Sequence, residues 1–252
     1  MRTRHLAVLY TLLFMVSFSY AVDYERIMLS GNQYYEQGDF DQAIEAYETI
    51  LKSDGATAAL YYNLGNAYFN QKDYGKAILY FEKARILSPR DADILHNLKF
   101  SKLFLKDRFD LPEPMPLVAW FDEIRQSLAL AELQFWETTW FILLILGIAY
   151  FRLFGVERGN RSMLLPVVLV GILFVLTSGW LWNRAVSLDD QHAILLVKEA
   201  RIASAPLVSS STLFVIHEGT SAEILSATDS WYEIRLADGK TGWVVHEAVG
   251  VY

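Results

Sequence analysis

Residues 58–89 read AALYYNLGNAYFNQKDYGKAILYFEKARILSP, and this stretch decides the fold because it repeats an earlier one. Asn32, Tyr34, Asp39, Ala43 and Ile44 recur as Asn66, Tyr68, Asp73, Ala77 and Ile78, and Gly31 recurs as Gly65, each 34 positions further on. A period of that length belongs to stacked helix–turn–helix units, each of which buries its apolar face against its neighbour. The chemistry of the copy fits such a unit. Gly65 lets the two helices approach closely, and Ala77 fits where a larger side chain would push them apart. Lys72-Asp73-Tyr74 makes the turn, and Pro89 ends the second helix.

At Leu64-Gly65, Tyr68, Ala77, Phe81, Ala84 and Pro89 the second copy resembles the tetratricopeptide repeat family. The first copy departs from that pattern in having Ser30 before its glycine and Gly55 where proline is usual, while Gly38-Asp39-Phe40 marks its inner turn. The expectation is an all-α stack over 24–109, with repeats at 24–57 and 58–91 and a capping helix from DADILHNLKFSKLFLKDRF, residues 91–109. About three units are expected for a stable stack, so one this short leans on a partner. In such stacks the first helices line a concave groove. The resemblance places Asn32, Tyr62, Asn63, Asn66 and Asn97 on it. A side-chain amide both donates to and accepts from a peptide backbone. The family's carboxylate-clamping version also needs lysines there, and Met28 and Tyr62 stand at two of those positions. The alternative is that these asparagines only bond across neighbouring helices.

The next feature is a pair of apolar runs at 135–154 and 163–182, the second of which, MLLPVVLVGILFVLTSGWLW, has no charge. About 20 apolar residues span a hydrocarbon core of roughly 30 Å. Glu137 and Arg152 fall near the ends of the first run, within reach of headgroups, and Trp136, Trp140, Trp180 and Trp182 lie where interfacial aromatics are expected. A two-helix transmembrane hairpin over 135–182 is therefore expected, the alternative being a buried hairpin of a soluble protein. Arg152, Arg158 and Arg161 gather at its tip, against Arg125 before it and Arg184 after it. Short loops rich in cations stay on the cytoplasmic side, so both flanks face outward. The start, MRTRHLAVLYTLLFMVSFSYAVD, reads as a signal peptide over 1–21, with an uncleaved anchor as the alternative. Residues 110–134 read as a proline-stiffened linker and an interfacial helix carrying Trp120, Phe121, Ile124 and Leu128, or one packed on the repeats.

After Arg184 the period shortens. AILLV (193–197), LFVI (213–216), AEIL (222–225), WYEIRL (231–236) and GWVV (242–245) are separated by turn residues, with Ala237–Lys240 a hairpin signal. Strands this short and close mean a small all-β barrel over 190–252. HEGT at 217–220, WYEIRL at 231–236 and DGKTGWV at 238–244 resemble the bacterial SH3-like family, whereas ARIASAP (200–206) fits it less well. Trp231, Tyr232, Trp243 and Tyr252 offer a surface for extended peptide, and the resemblance implies cell-wall peptide. The alternative is that Trp231 and Trp243 fill the core.

Composition narrows the function. With 22 Lys and Arg against 29 Asp and Glu, the net charge of −7 argues against nucleic acid. The lack of cysteine removes disulfides, thiolate nucleophiles and Cys-based zinc sites. Neither His217 nor His246 opens an HExxH motif, and there is no phosphate loop and no G-x-S-x-G elbow. No catalytic, metal or cofactor residues are expected, and no enzyme.

The order of segments resembles the repeat-containing member of the Bat (bacterial aerotolerance) operon proteins. That resemblance implies a multidomain inner-membrane protein with both terminal domains in the periplasm. Its implied neighbours are membrane proteins with von Willebrand factor A domains, a MoxR-type ATPase and other Bat-type subunits. The functional expectation is an adaptor or scaffold binding protein partners through its repeats. A sensor of envelope or cell-wall state, binding peptide through the barrel, is the alternative.

Overall fold

The computed structural model describes residues 24–53, 55–109, 115–118, 120, 124, 128–155, 164–189 and 191–252. The signal segment at 1–21, residues 110–114 of the linker and the tip arginines Arg158 and Arg161 lie outside the described residues. The chain divides into two compact units. One joins the helical repeats with the C-terminal strands, and the other contains the apolar hairpin.

The repeats consist of α1 (24–36), α2 (Phe40–Leu51), α3 (Ala58–Asn70), α4 (Tyr74–Leu87) and α5 (Ala92–Lys102). Both inner turns are built alike. Asp39 N–H bonds Tyr34 O and Gly38 N–H bonds Tyr35 O, and Asp73 N–H bonds Tyr68 O while Lys72 N–H bonds Phe69 O. This pairing needs a left-handed residue just past the helix. Gly38 takes it at φ 78°, and Lys72 takes it at φ 64° at the side-chain cost that glycine avoids. Asp39 and Asp73 then cap α2 and α4, accepting from Gln42 N–H and Lys76 N–H. At Gly65 a Cβ would stand 2.6 Å from the Phe81 ring, and at Gly31 it would stand 2.5 Å from the Tyr47 ring. The glycine thus admits an aromatic ring from the second helix of each repeat. Ala43, Ala77, Leu64 and Ile78 complete a buried core.

The barrel has seven antiparallel strands in the order β3-β2-β6-β5-β4-β1-β7. They are β1 (His192–Leu195), β2 (Glu199–Ala203), β3 (Thr212–His217), β4 (Ser221–Ala227), β5 (Trp231–Leu236), β6 (Thr241–Val245) and β7 (Val249–Val251). Two of these, β2 and β7, fall where the sequence shows no clear apolar run. Ile202, Ile216, Ile234, Leu236 and Val244 form the barrel core.

Repeats and barrel interlock. Ile194 is buried in the repeat core, joined there by Leu196 and Tyr252, while Phe109 from the repeat side packs on the barrel core. Each domain therefore completes the apolar interior of the other, which meets the need of a short stack for further burial.

The hairpin is formed by α6 (Leu130–Tyr150), extended by a π-helical turn Phe151–Gly155, and α7 (Leu164–Asp189). The helices pair antiparallel. Ser178 donates to Glu137 at 3.0 Å, Phe141 meets Phe174 at 5.8 Å, and Gly147 faces Val167. Both helices are long and apolar enough to cross a membrane.

Candidate functional site

The first helices α1, α3 and α5 carry the asparagines singled out in the sequence, and the structure joins them in a ladder. Asn63 Nδ2 donates to Asn32 Oδ1 at 3.0 Å, and Tyr47 Oη donates to the same oxygen at 2.8 Å. One repeat further on, Asn97 Nδ2 donates to Asn66 Oδ1 at 2.8 Å and to Tyr62 Oη at 3.1 Å. Each rung links residues 31 apart in sequence, and the second rung is the first moved by one 34-residue period. The bonding across helices weighed from the sequence is thus present. It does not exhaust the amides, each of which has donor and acceptor capacity. Among the described residues, nothing is bonded to the side-chain N–H groups of Asn32 and Asn66 or to the carbonyls of Asn63 and Asn97. The face therefore keeps unspent donors, at Asn32 and Asn66, beside unspent acceptors, at Asn63 and Asn97.

A pocket of 230 Å³ opens on this face, lined by Asn32, Tyr35, Glu36, Tyr47, Asn63 and Asn66. Tyr47 reaches it from α2, where the second repeat has Phe81. Burial, reinforced by the neighbouring Tyr35, pushes the Tyr47 phenol up to about 12, so it stays a neutral donor to Asn32. Tyr35, Glu36 and Tyr47 escaped the reading of the sequence. The 34-residue alignment pairs Tyr35 with Phe69 and Tyr47 with Phe81, which marks two pocket hydroxyls that the second repeat lacks.

A second polar centre lies at the seam between repeats and barrel. The turn His217–Thr220, whose HEGT sequence points to the barrel family, is held by the segment after α5. Asp107 Oδ2 accepts from His217 N–H at 2.7 Å and Thr220 Oγ1 at 2.8 Å, and its Oδ1 meets His217 Nδ1 at 2.8 Å. Lys106 Nζ approaches His217 Nε2 at 2.7 Å. Burial alone would raise the Asp107 carboxyl, but these bonds from His217 and Thr220 outweigh it and hold it below its ordinary range. Glu218 accepts from the Gly75 N–H at the start of α4 at 3.0 Å and pairs with Lys198. Gly219 has φ 82°, and a Cβ there would stand 2.2 Å from Leu105 Cδ2. Between α4 and α5, Glu82 is buried with Arg85 at 2.7 Å and Lys102 at 2.8 Å. Burial raises its pKa, and the two cations more than reverse that.

The aromatic residues proposed on the barrel do not form one wall. On β5 and β6, Tyr232, Ile234, Gly242 and Val244 point inward, so Trp231 and Trp243 stand on the outer face and do not fill the core. Tyr232 packs on the core and stacks with His246 at 3.8 Å. Tyr252 is committed to the seam, its hydroxyl 3.3 Å from Ser221 Oγ. Only Trp231 of the four lines a 420 Å³ cleft, with Val197, Glu199, Arg201, Val245 and Glu247. The cleft opens because β2 and β6 are paired only through Ala203 and Trp243.

These features define a chain that contains tetratricopeptide repeats and a bacterial SH3 domain. Residues 28–92 match the family model described as Tetratricopeptide repeat, and residues 199–249 match the one described as Bacterial SH3 domain. Among curated proteins, BBSome complex member BBS4 of Bos taurus is 33% identical over 76 residues, covering 30% of this chain and 15% of that protein. The Mus musculus protein of the same name is 33% identical over 75 residues, covering 30% and 14%. The chain thus spans about a seventh of the length of these relatives. Among solved structures, the second TPR of Spaghetti (RPAP3) bound to an HSP90 peptide is 21% identical with a TM-score of 0.31, covering 41% of this chain and 84% of that one. MamA is 18% identical with a TM-score of 0.31, covering 64% and 80%.

Proposed function

We propose that this protein is a membrane-anchored adaptor that holds an extended segment of a partner protein on the concave face of its repeats. The observation that carries the reading is the presence of both unspent donors and unspent acceptors on one face, at Asn32, Asn63, Asn66 and Asn97. An extended backbone presents both N–H and C=O groups, so it can satisfy them whatever its side chains. Helix α3 carries no charge, and Glu36 is the carboxylate lining the pocket, which favours a neutral or basic segment over an acidic one. The reading is one of binding rather than catalysis.

The hairpin is the anchor in this reading. Repeats and barrel flank it in sequence yet share one compact unit, so a chain that enters a bilayer must cross it an even number of times. Two crossings with the arginine-bearing tip inside put that unit on the outer face. In a bacterial envelope this is the periplasmic face of the inner membrane. By the resemblance to Bat-type proteins, the partners are von Willebrand factor A-domain membrane proteins and other Bat-type subunits.

Because the chain has no cysteine, Leu29→Cys and Val208→Cys report topology cleanly. Both should react with a membrane-impermeant maleimide in intact spheroplasts. Reaction only after lysis would reject the outward orientation. For the groove, Asn63→Ala/Asn66→Ala should lose crosslinked partners from native membranes while the helical signal is kept. An unchanged set of partners would remove this face from consideration.

The Trp231 cleft supports a second reading, an envelope sensor that binds cell-wall peptide. Muropeptides titrated into the full-length protein should then bind wild type and fail to bind Trp231→Ala. Equal binding to both would place the ligand elsewhere.

A further inference from the structure

Beyond the repeat groove and the barrel cleft, one corner of the folded unit combines exposed apolar side chains with clustered cations. It is formed by the end of α5 and the segment that follows, KFSKLFLKDRF at 99–109. Phe100, Phe104 and Leu103 are exposed, Leu103 to 61%. The two phenylalanines are held on a firm base: Phe104 packs on Phe69 at 5.3 Å, on Tyr74 at 4.9 Å and on Phe100 at 5.4 Å. The same segment carries Lys99, Lys102, Lys106 and Arg108 against its single carboxylate Asp107, in a chain of net charge −7, and Arg108 donates to the Leu103 carbonyl at 3.3 Å. That carboxylate is turned away to His217 and Thr220. Lys102 and Lys106 keep one partner each, Glu82 and His217, and both remain exposed.

We infer that this corner docks on an anionic phospholipid surface. The inference rests on the membrane-anchored reading above. Two features favour lipid over a protein groove. Cations around a small aromatic and aliphatic tip match an interface where headgroups are anionic and the acyl boundary lies a few ångströms beneath. The connection is also short in sequence, with only Asp190 and Gln191 between Asp189 at the end of α7 and His192 at the start of β1. The corner has a positional role: it would fix which way the concave groove faces.

The test uses the full-length protein in nanodiscs of phosphatidylcholine alone or with phosphatidylglycerol, carrying a fluorophore on one introduced cysteine. Leu103→Cys reports the corner, Ile145→Cys the hairpin, and Val208→Cys, at a site 96% exposed on the β2–β3 connection, the aqueous reference. With nitroxide-bearing lipids, label at 103 should be quenched at least twofold more in anionic than in neutral discs, while label at 208 stays unquenched. Lys99→Glu/Arg108→Glu should abolish the difference. Quenching at 145 but not at 103 in anionic discs would overturn the inference and leave the anchored reading standing. Absence of quenching at 145 would remove that reading and the inference with it. Shielding of label 103 from both lipid and aqueous quenchers would assign the corner to a second copy of the chain and equally overturn it.

Discussion

The hairpin and the repeat–barrel unit are made from the same apolar residue types and use them in opposite ways. In the folded unit Leu64, Ile78 and Ile194 are sealed from solvent, and the polar groups among them are paired, as Glu82 is with Arg85 and Lys102. In the hairpin Leu165 is 75% exposed and Val175 66%, and its interhelical contacts include Gly147 on Val167, Phe141 on Phe174 and a Ser178–Glu137 bond. The contrast teaches that hydrophobic content alone does not define a core. The first unit excludes water by closing on itself, whereas the hairpin leaves a broad apolar surface uncovered.

The widest separation between the two should come from truncating one leucine on each. Leu64→Ala empties a sealed position and should cost the folded unit about 2–5 kcal/mol. Leu176→Ala on the exposed hairpin surface should change its unfolding by less than about 0.5 kcal/mol. Denaturant titrations of the full-length protein, read by helical signal, compare them, and equal costs would erase the distinction. Overpacking comes next. Ala77→Leu should destabilise the second repeat by about 1–3 kcal/mol, because Ala77 is fully buried between its helices. An unaltered melting temperature would contradict the 34-residue register.

Proton linkage sharpens the comparison further, since the perturbed groups described lie in the folded unit. Asp107 and Glu82 have depressed folded-state pKa values. Their stabilisation is present above the ordinary carboxylate pKa and is lost as pH falls through the depressed values. The seam should loosen in acid, and Asp107→Asn should remove part of that pH dependence. On the alkaline side Tyr47, Tyr80 and Tyr252 are pushed up to about 12, chiefly by burial. Stability should therefore hold up to pH 10 and fall as pH rises toward 12, as melting against pH would show. The smallest effect expected is a gain. Lys72→Gly places glycine at the left-handed turn position and should stabilise the second repeat by about 0.5–1 kcal/mol. A loss instead would mean that Lys72 makes a compensating contact in solution.

The repeats were legible because their physics is local and periodic. Gly65 faces Phe81, Ala77 is buried, and Asp73 caps a helix, all within one 34-residue unit whose copy supplies the check. The asparagine face was legible for the same reason. The seam was not, since Asp107 and His217 lie 110 positions apart and neither belongs to a periodic pattern. HEGT could be read as a barrel turn, but nothing in those four residues announces that a helical repeat grips them. The barrel aromatics show a different limit. Trp231 and Trp243 suggested core by their size, yet each alternates with an inward neighbour, Tyr232 and Val244, and the period of two sends both tryptophans outward.

Repeats and barrel form one body. Hydrogen exchange of the full-length protein in nanodiscs, comparing wild type with Asp107→Ala, tests it most directly. Peptides from α4 and from β1 and β7 should lose protection together, by a similar factor, while α7 is unchanged. Loosened exchange in α4 with the barrel strands as protected as in wild type would contradict it.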